Sequence, residues 1–221
     1  MSDIINRLED HVASARMKTT PVIDFEKNES LKGLDYLDTI YHAIVNEHPI
    51  QLKYRSFKAR SANSFIFYPY LLKEYRNRWF VYGVRGNGRI LQNLALDRIQ
   101  SLEVLPQEHY IKNTFFDPNT FFDDLVGVTK NSGSVAEKIG FKVAAAEAPY
   151  IITKPIHRSQ QVVERLADGS VILEIEVVIN HELERVFFGY AEGIQVLYPK
   201  TLVELMGRKL KKAAEQYTHS K

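Results

Sequence analysis

Cysteine is absent from this chain of 221 residues, and no apolar run in it approaches the length of a membrane span. The absence of cysteine excludes disulfides, thiol nucleophiles and cysteine-based zinc sites, and it is typical of a reducing compartment. A transmembrane helix would need about 18 or more consecutive apolar residues. The N-terminus carries acidic residues and lacks the apolar stretch of a signal peptide. We therefore expect a cytoplasmic protein with no membrane partner.

An excess of charge of one sign is also missing. Lysine and arginine number 29 against 27 for aspartate and glutamate, so the formal net charge is only +2. Net charge alone therefore does not indicate nucleic-acid binding, and any basic surface has to be local. Hydrophobic residues at 45% and charged residues at 25% are typical of a globular protein.

The sequence motifs of common enzymes are absent as well. There is no glycine-rich dinucleotide loop, no Walker loop, no His-Glu-x-x-His and no nucleophile elbow. The seven histidines form no close pair at the spacing of metal ligands. The carboxylate pair Asp123-Asp124 is more typical of a solvated loop than of a catalytic site. We expect a protein that is not an enzyme and has no cofactor and no metal site.

Helical spacing of apolar residues predicts two helices near the N-terminus. The first, over 3–17, has a narrow apolar stripe and needs a partner. This helix packs on the body of the protein in one interpretation. In the other, it is a connector from an upstream domain or a contact with a second copy. Residues 18–33 have the composition of a linker. The second helix is predicted over 34–48 and is stopped by Pro49.

From residue 50 the period of the apolar residues changes to two, the period of a half-buried strand. Five strands are predicted, over 50–57, 65–73, 78–84, 89–96 and 99–105. Gly86-Asn87-Gly88, between the third and the fourth, is a strong hairpin signal. Five short strands with tight turns fit a small β-barrel, in which closure removes exposed edges.

Residues 110–138 follow neither period. Four phenylalanines are expected to anchor this segment to the barrel, namely Phe115, Phe116, Phe121 and Phe122. The stretch after them is rich in glycine, serine and small residues and predicts a domain boundary. We divide the chain into an N-terminal helix and linker, a barrel domain, a second linker and a C-terminal domain, over 1–33, 34–125, 126–138 and 139–221.

The last third predicts strands and helices in the order β-α-β-β-α-β, followed by a final helix. The predicted elements are the strand 138–144, the helix 147–154, the strands 160–165 and 171–179, the helix 181–191, the strand 194–198 and the helix 201–217. Gly193 is expected to cap the helix that precedes it. This order is the ferredoxin-like arrangement, with helices on an antiparallel sheet. The fold class predicted for the whole chain is α+β.

Aromatic and basic side chains lie close together in the predicted barrel. Alternation places Tyr54 and Ser56 on one strand face, and Arg98 follows the end of a nearby strand. Aromatic rings beside arginine suit stacking on bases combined with phosphate contacts. The alternative is that rings such as Trp79 belong to the core and that Asp97 pairs with Arg98 or with a neighbour.

These segments resemble the WYL domain, whose Trp-Tyr-Leu run appears here as Trp79-Phe80-Val81. The resemblance extends in order over the helix 36–46, Leu52-Lys-Tyr-Arg-Ser-Phe, Phe67-Tyr-Pro-Tyr-Leu-Leu and Leu94-Ala-Leu-Asp-Arg-Ile. Residues 139–217 are similar to the C-terminal extension that often follows this domain, with Gly193-Ile-Gln-Val-Leu-Tyr-Pro at its characteristic end. Together the resemblance covers residues 22–217.

The resemblance implies an Sm-like, SH3-type barrel followed by a ferredoxin-like extension. Such proteins are commonly bacterial transcriptional regulators in which the barrel senses a ligand, often nucleic acid or a nucleotide, and the extension helps dimerisation. By position, the pocket residues would be Tyr54, Ser56, Trp79, Tyr82 and Arg98. Phe80 lacks the hydroxyl of the family tyrosine. Gln92, which we include in the candidate site, stands where many members carry arginine, and this weakens the case for an anionic ligand.

Regulators of this family commonly carry an N-terminal winged helix-turn-helix, for which the residues before the first linker are too few. We therefore expect either the C-terminal part of a longer regulator or a stand-alone protein. Our main hypothesis is a ligand-sensing and dimerisation region whose partners are a nucleic-acid or nucleotide-like effector, a second copy and a missing DNA-binding domain. The alternatives are a stand-alone protein that binds single-stranded nucleic acid and a ligand-free dimerisation scaffold. The helix 202–217 is apolar on one side and basic on the other, so it either contacts a second copy or covers its own sheet.

Overall fold

Two antiparallel β-sheets dominate the described part of the chain, residues 32–86 and 90–218 of a computed structural model. These residues belong to one unit, Lys32–Lys221. The predicted helix over 3–17, nearly all of the linker over 18–33, and Asn87 and Gly88 of the hairpin signal lie outside the described residues. The predicted α+β class is confirmed.

The first sheet has five strands and is preceded by a helix. A 3-10 turn at Leu34–Tyr36 leads into helix α1, Leu37–Val45. The strands are β1 Ile50–Tyr54, β2 Asn63–Tyr75, β3 Arg78–Arg85, β4 Leu91–Ala95 and β5 Ile99–Val104. Their hydrogen-bonded order is β4-β3-β2-β1-β5. The core of this half contains the fully buried side chains Ile40, Ile50, Leu52 and Phe67, which follow the helical period in α1 and the period of two in the strands.

This sheet is open, and the predicted closure into a barrel is not found. Within residues 32–86 and 90–218, no hydrogen-bonded ladder joins the two edge strands, β4 and β5. A 3-10 turn at Leu96–Arg98 connects them directly, and the chain then pairs with β1 instead of continuing along β4. The β4 strand is covered in part by a later segment, because the side-chain amide of Asn93 donates to the Val128 carbonyl at 2.7 Å.

The second sheet has four strands in the order β7-β8-β6-β9. The elements of this half are β6 Glu137–Val143, α2 Ala148–Thr153, β7 Gln161–Arg165, β8 Val171–Val177, α3 His181–Phe188, β9 Ile194–Tyr198 and α4 Lys200–Thr218. Every second residue of β8 faces the core, from Val171 to Val177, and is at most 2% exposed. None of the described helices is both long and apolar enough to cross a membrane.

Helix α3 begins and ends at polar or glycine residues. At its start, the N–H of Leu183 donates to the Asn180 side chain at 2.8 Å, which satisfies one of the free N–H groups of the first turn. At its end, Gly189 is the C-terminal cap. The prediction that Gly193 caps this helix is wrong. Gly193 ends a separate 3-10 turn, in which its N–H donates to the carbonyl of Tyr190 at 2.7 Å.

The segment between the two sheets is hydrogen-bonded to the first sheet and to the start of helix α3, which follows β8. On the side of the second sheet, the amide of Asn180 donates to the carbonyls of Val126 and Thr129, at 2.9 and 3.0 Å. On the side of the first sheet, the Val128 carbonyl accepts from Tyr82 as well as from Asn93. The start of the predicted linker over 126–138 is therefore held at both sides.

We expect Phe67→Ala to lower the free energy of unfolding by about 3 to 5 kcal/mol, because it empties a fully buried site. Urea unfolding followed by the fluorescence of Trp79, the single tryptophan, measures this half, since Trp79 packs against the same core cluster. Phe57→Ala is the matched control, because Phe57 is 73% exposed. A loss below about 1 kcal/mol for Phe67→Ala would contradict the packing described.

Candidate ligand-binding site

An open cavity of about 310 Å³ lies where the end of β1 meets the 3-10 turn after β4. Its walls come from two short stretches of chain, Arg55, Ser56 and Phe57 on one side and Asp97, Arg98, Ile99 and Gln100 on the other. The two stretches are joined by a backbone hydrogen bond, in which the N–H of Arg55 donates to the carbonyl of Arg98 at 3.1 Å. This backbone hydrogen bond therefore holds the two walls of the cavity next to each other.

The predicted strand over 50–57 ends earlier than expected, and this changes which side chains meet. The register of β1 against β5 shifts between Lys53 and Tyr54, and the strand ends at Tyr54. Beyond that point the chain turns, so its side chains no longer alternate between two faces. Ser56 and Phe57 consequently line the same cavity, although strict alternation would have separated them.

Arg98 is the central side chain of this cavity. The Cζ atom of its guanidinium lies 4.4 Å from the centroid of the Phe57 ring, a cation–π contact. Its Nε atom is buried and has no hydrogen-bond partner among the described residues. An arginine held over an aromatic ring, with a buried donor unused, is suited to bind a phosphate or a planar base.

Asp97 contributes a carboxylate to the same cavity; its nearest cation is Arg78, and its buried Oδ1 atom has no hydrogen-bond partner among the described residues. Asp97 Oδ2 lies 3.2 Å from Arg78 Nε, whereas Asp97 Oδ1 lies 3.8 Å from Arg98 Nε, beyond hydrogen-bond distance. The ordinary ion pair considered from the sequence is therefore present, but its closer cation is Arg78. Arg98 and Arg55 remain as the cations that line the cavity.

Tyr54 lies behind the cavity, beside Arg98. Its ring packs edge-on against Phe65, with centroids 6.5 Å apart, at the margin of the core cluster. Burial raises the pKa of the Tyr54 hydroxyl, and the positive charge of Arg98 partly opposes this shift. The Tyr54 hydroxyl is therefore uncharged near neutral pH, and it lies beside Arg98 without adding a charge.

Tyr82 and Trp79 pack against other apolar and aromatic side chains and do not line the cavity around Arg98. Trp79 packs against the core cluster of the first half, as the alternative interpretation predicted. Tyr82 is only 2% exposed, and its hydroxyl donates to the Val128 carbonyl. Three rings of the phenylalanine-rich segment contact the Tyr82 ring, with centroids 5.3 to 6.2 Å away, namely Phe116, Phe121 and Phe122. The predicted anchoring by phenylalanines is confirmed, and Phe115 stacks on Tyr70.

Gln92 lies away from Arg98. Together with Tyr82 it lines a separate cavity of about 340 Å³ beside β4, whose other wall includes Phe121, Val128 and Lys130. The six candidate residues thus fall in three places. Ser56 and Arg98 share the first cavity with Tyr54 behind them, Trp79 lies at the core, and Tyr82 and Gln92 line the second cavity.

The candidate set from the sequence contains two of the seven lining residues, Ser56 and Arg98, and misses the others, which include Phe57 and Gln100. The one signal for Phe57 is its position in the run Arg55-Ser-Phe-Lys, where an apolar ring stands among basic residues. No local pattern indicates Gln100, because it reaches the cavity through the pairing of β5 with β1. Among the described residues there is no group of three or more histidine, aspartate or glutamate side chains that could hold a metal ion.

Two domain families match the chain in succession. Residues 35–104 match the WYL domain, and residues 136–214 match the WCX domain. The first match contains the cavity around Arg98, and the second contains the whole four-stranded sheet. The chain therefore contains a WYL domain followed by a WCX domain, and this prediction from the sequence is confirmed.

Two solved structures are similar to the chain at low sequence identity. Proteasome accessory factor B/C of Arthrobacter aurescens has a TM-score of 0.40 and 16% identity, over 93% of this chain and 31% of that one. A CRISPR Cas-related protein has a TM-score of 0.47 and 13% identity, over 82% of this chain and 50% of that one. The chain thus spans half or less of the length of these structures. No curated protein sequence matches it.

We expect several tyrosines to ionise only at strongly alkaline pH. Burial raises the pKa of Tyr70 from 10.0 to about 12 and also raises the pKa values of Tyr82 and Tyr110. Because these phenols ionise more easily in the unfolded chain, their contribution to stability is complete below pH 10 and falls as pH rises towards 12. Tyrosinate absorbance of the folded and the urea-unfolded protein tests this. Uniform titration near pH 10 without unfolding would contradict it, and Tyr82→Phe should remove one late step.

Proposed function

We propose that this chain is the ligand-sensing and dimerisation region of a bacterial transcriptional regulator, and that its effector is a single-stranded nucleic acid or a nucleotide bound at Arg98. One observation carries the proposal: Arg98 lies over the largely exposed ring of Phe57 and keeps a buried N–H without a partner among the described residues. The match to the WYL domain supports a sensory role.

The chemistry of the cavity suits a nucleotide better than a purely apolar ligand. An exposed phenylalanine ring offers a base a stacking surface, and arginine offers a phosphate up to five N–H donors. Ser56 adds a hydroxyl, and Arg55 adds a second positive charge at the wall. The cavity volume, about 310 Å³, suits one nucleotide unit, so a longer strand would leave most of its length outside.

We also propose domain boundaries and folds in line with the sequence. The first domain, over 34–125, is an Sm-like fold left open between β4 and β5. The segment 126–138 links it to a ferredoxin-like domain over 139–221. The strand order β7-β8-β6-β9 supports this second fold, because it places the first and third strands of the domain at the centre of the sheet.

Dimerisation is proposed to use helix α4. Its first half contributes Leu202 and Met206 to the core of the second sheet. The same stripe continues through Leu210, Ala213 and Tyr217, where every described side chain of the helix is exposed. A second copy packed there would bury this apolar surface. For an effector to control an attached DNA-binding domain, it must bind two arrangements of such a dimer with different affinity.

We expect Arg98→Ala to weaken binding of a fluorescein-labelled oligothymidylate at least tenfold, a change of about 1.4 kcal/mol. Phe57→Ala should weaken binding without changing the salt dependence, because it removes stacking and no charge. Fluorescence anisotropy at two salt concentrations measures both effects. Removal of one phosphate-binding cation should make the slope of log K against log salt shallower by about 0.7.

Arg165→Ala is the matched control, since Arg165 is an exposed arginine of β7 in the other domain. Arg98→Lys keeps the charge but loses the planar stacking, so it should bind with intermediate affinity. Such an intermediate affinity would show that the loss of binding in Arg98→Ala is due to the missing side chain and not to misfolding. Equal affinity of wild type, Arg98→Ala and Phe57→Ala would reject this site. Binding to duplex DNA as tight as to the single strand would reject the proposed effector class.

We expect Leu210→Asp to shift a dimer to monomer in sedimentation-velocity experiments. The substituted carboxylate would lie in the proposed apolar interface, where an unpaired charge is costly. Leu210 is 43% exposed in the single chain, so the substitution should leave the unfolding midpoint of the monomer nearly unchanged. Lys211→Asp, on the neighbouring basic side of the helix, is the control. A wild-type protein that stays monomeric at high concentration would contradict the proposal.

A further inference from the structure

We propose that a second binding site, for a small planar organic anion, lies between the two halves of the described chain. The cavity there has a volume of about 390 Å³ and shares no lining residue with the cavity around Arg98. Its polar lining comes from Tyr75 and Arg76 at the β2–β3 turn, from Lys154 after α2 and from Tyr190 after α3. Neither domain family as such predicts this site, because residues of both matched regions build it.

Positive charge dominates this cavity. Arg76 belongs to the first half and Lys154 to the second, and neither side chain forms an ion pair with a residue in 32–86 or 90–218. The charges of Arg185 and Glu182 also reach the Tyr75 hydroxyl. The Oε1 atom of Glu182 accepts from Thr129 at 2.7 Å and lies 3.3 Å from His181, whereas its buried Oε2 atom has no hydrogen-bond partner among the described residues. Two cations, Arg76 and Lys154, thus line the cavity, whereas Arg185 and Glu182 act on Tyr75 from outside its lining.

The backbone at Arg76 is strained, which singles out its side chain. Arg76 and the following Asn77 have φ values of 50° and 59°, in the left-handed region. A two-residue hairpin turn of this kind normally uses asparagine and glycine, because they adopt positive φ at little cost. An arginine there is disfavoured by its own backbone. Such strain is commonly found at ligand-binding positions, and here it accompanies a cation that lines a cavity.

The rest of the lining is apolar and suits the body of a ligand. Leu125 and Val126, at 6% and 7% exposure, lie beside Ile156 and Val186. Burial raises the pKa of the Tyr75 hydroxyl, so this phenol is neutral and can donate a hydrogen bond at physiological pH. A ring against the apolar wall, with a phosphate or carboxylate between Arg76 and Lys154, would satisfy both parts of the cavity.

A ligand in this position would contact both halves of the chain at once. It would therefore bind one arrangement of the two halves more tightly than any other, and stabilise that arrangement. In a sensory protein this is the property required of a second effector. The site does not depend on the effector proposed at Arg98, since the two cavities have separate walls.

The test is isothermal titration of the full chain with phenyl phosphate, benzoate and inorganic phosphate. Saturable binding of phenyl phosphate or of benzoate is expected, and the tighter of the two identifies the head group. Inorganic phosphate should bind at least tenfold more weakly than phenyl phosphate, because it has no body to contact the apolar wall. The same titration of Arg98→Ala separates this site from the one proposed above, because that substitution removes binding of these anions at the other cavity, and saturable binding that remains belongs to the site around Arg76.

Arg76→Gly is the most informative variant. Glycine suits the left-handed backbone, so the unfolding midpoint should stay the same or rise, while affinity for the organic anion should fall at least tenfold. Lys154→Ala should reduce the affinity similarly, and Lys211→Ala on α4 is the matched control with no expected effect. The proposal is overturned if neither organic anion binds saturably, if Arg76→Gly binds as well as wild type, or if inorganic phosphate binds as tightly as phenyl phosphate.

Discussion

The Val128 carbonyl accepts hydrogen bonds from the hydroxyl of Tyr82 and the amide of Asn93, and the architecture of the described chain depends on this arrangement. Two residues upstream, the Val126 carbonyl accepts from Asn180 of the second half. Backbone groups buried between two sheets cannot be left without partners, since water does not reach them. The same short segment therefore satisfies its carbonyls by binding strands β3 and β4 on one side and the N-terminal cap of helix α3 on the other.

Both proposed sites lie where regular structure stops. The cavity around Arg98 forms between the end of β1 and a 3-10 turn, and the cavity around Arg76 forms at the β2–β3 turn. Turns leave cations and rings exposed that a strand would pack into the core or direct to solvent. In each cavity the cation is accompanied by aromatic side chains, Phe57 in the first and Tyr75 in the second. A ligand that combines an anionic group with a planar body suits both.

Sequence periodicity predicted most elements because it reports local burial. In β8, the alternation of apolar and charged residues is the same pattern that the core requires, so the strand was placed nearly correctly. The prediction failed where a distant contact decided the outcome. The strand β1 ends at Tyr54, where its register against β5 shifts, and the next N–H pairs with the carbonyl of Arg98, more than forty positions along the chain. The open edge between β4 and β5 has a similar cause, since β5 finds its partner in β1.

The family, the order of strands and helices, and the absence of cysteine chemistry follow from the sequence alone, because motifs and apolar periods are local properties of a chain. Which candidate residues meet depends on the folded arrangement. The fold placed Ser56 and Arg98 around one cavity, kept Tyr82 and Gln92 at another, and brought Arg76 and Lys154 together from separate domain matches. Alternation assigns a side chain to a face of its strand, whereas strand ends, turns and buried carbonyls determine what lies opposite that face.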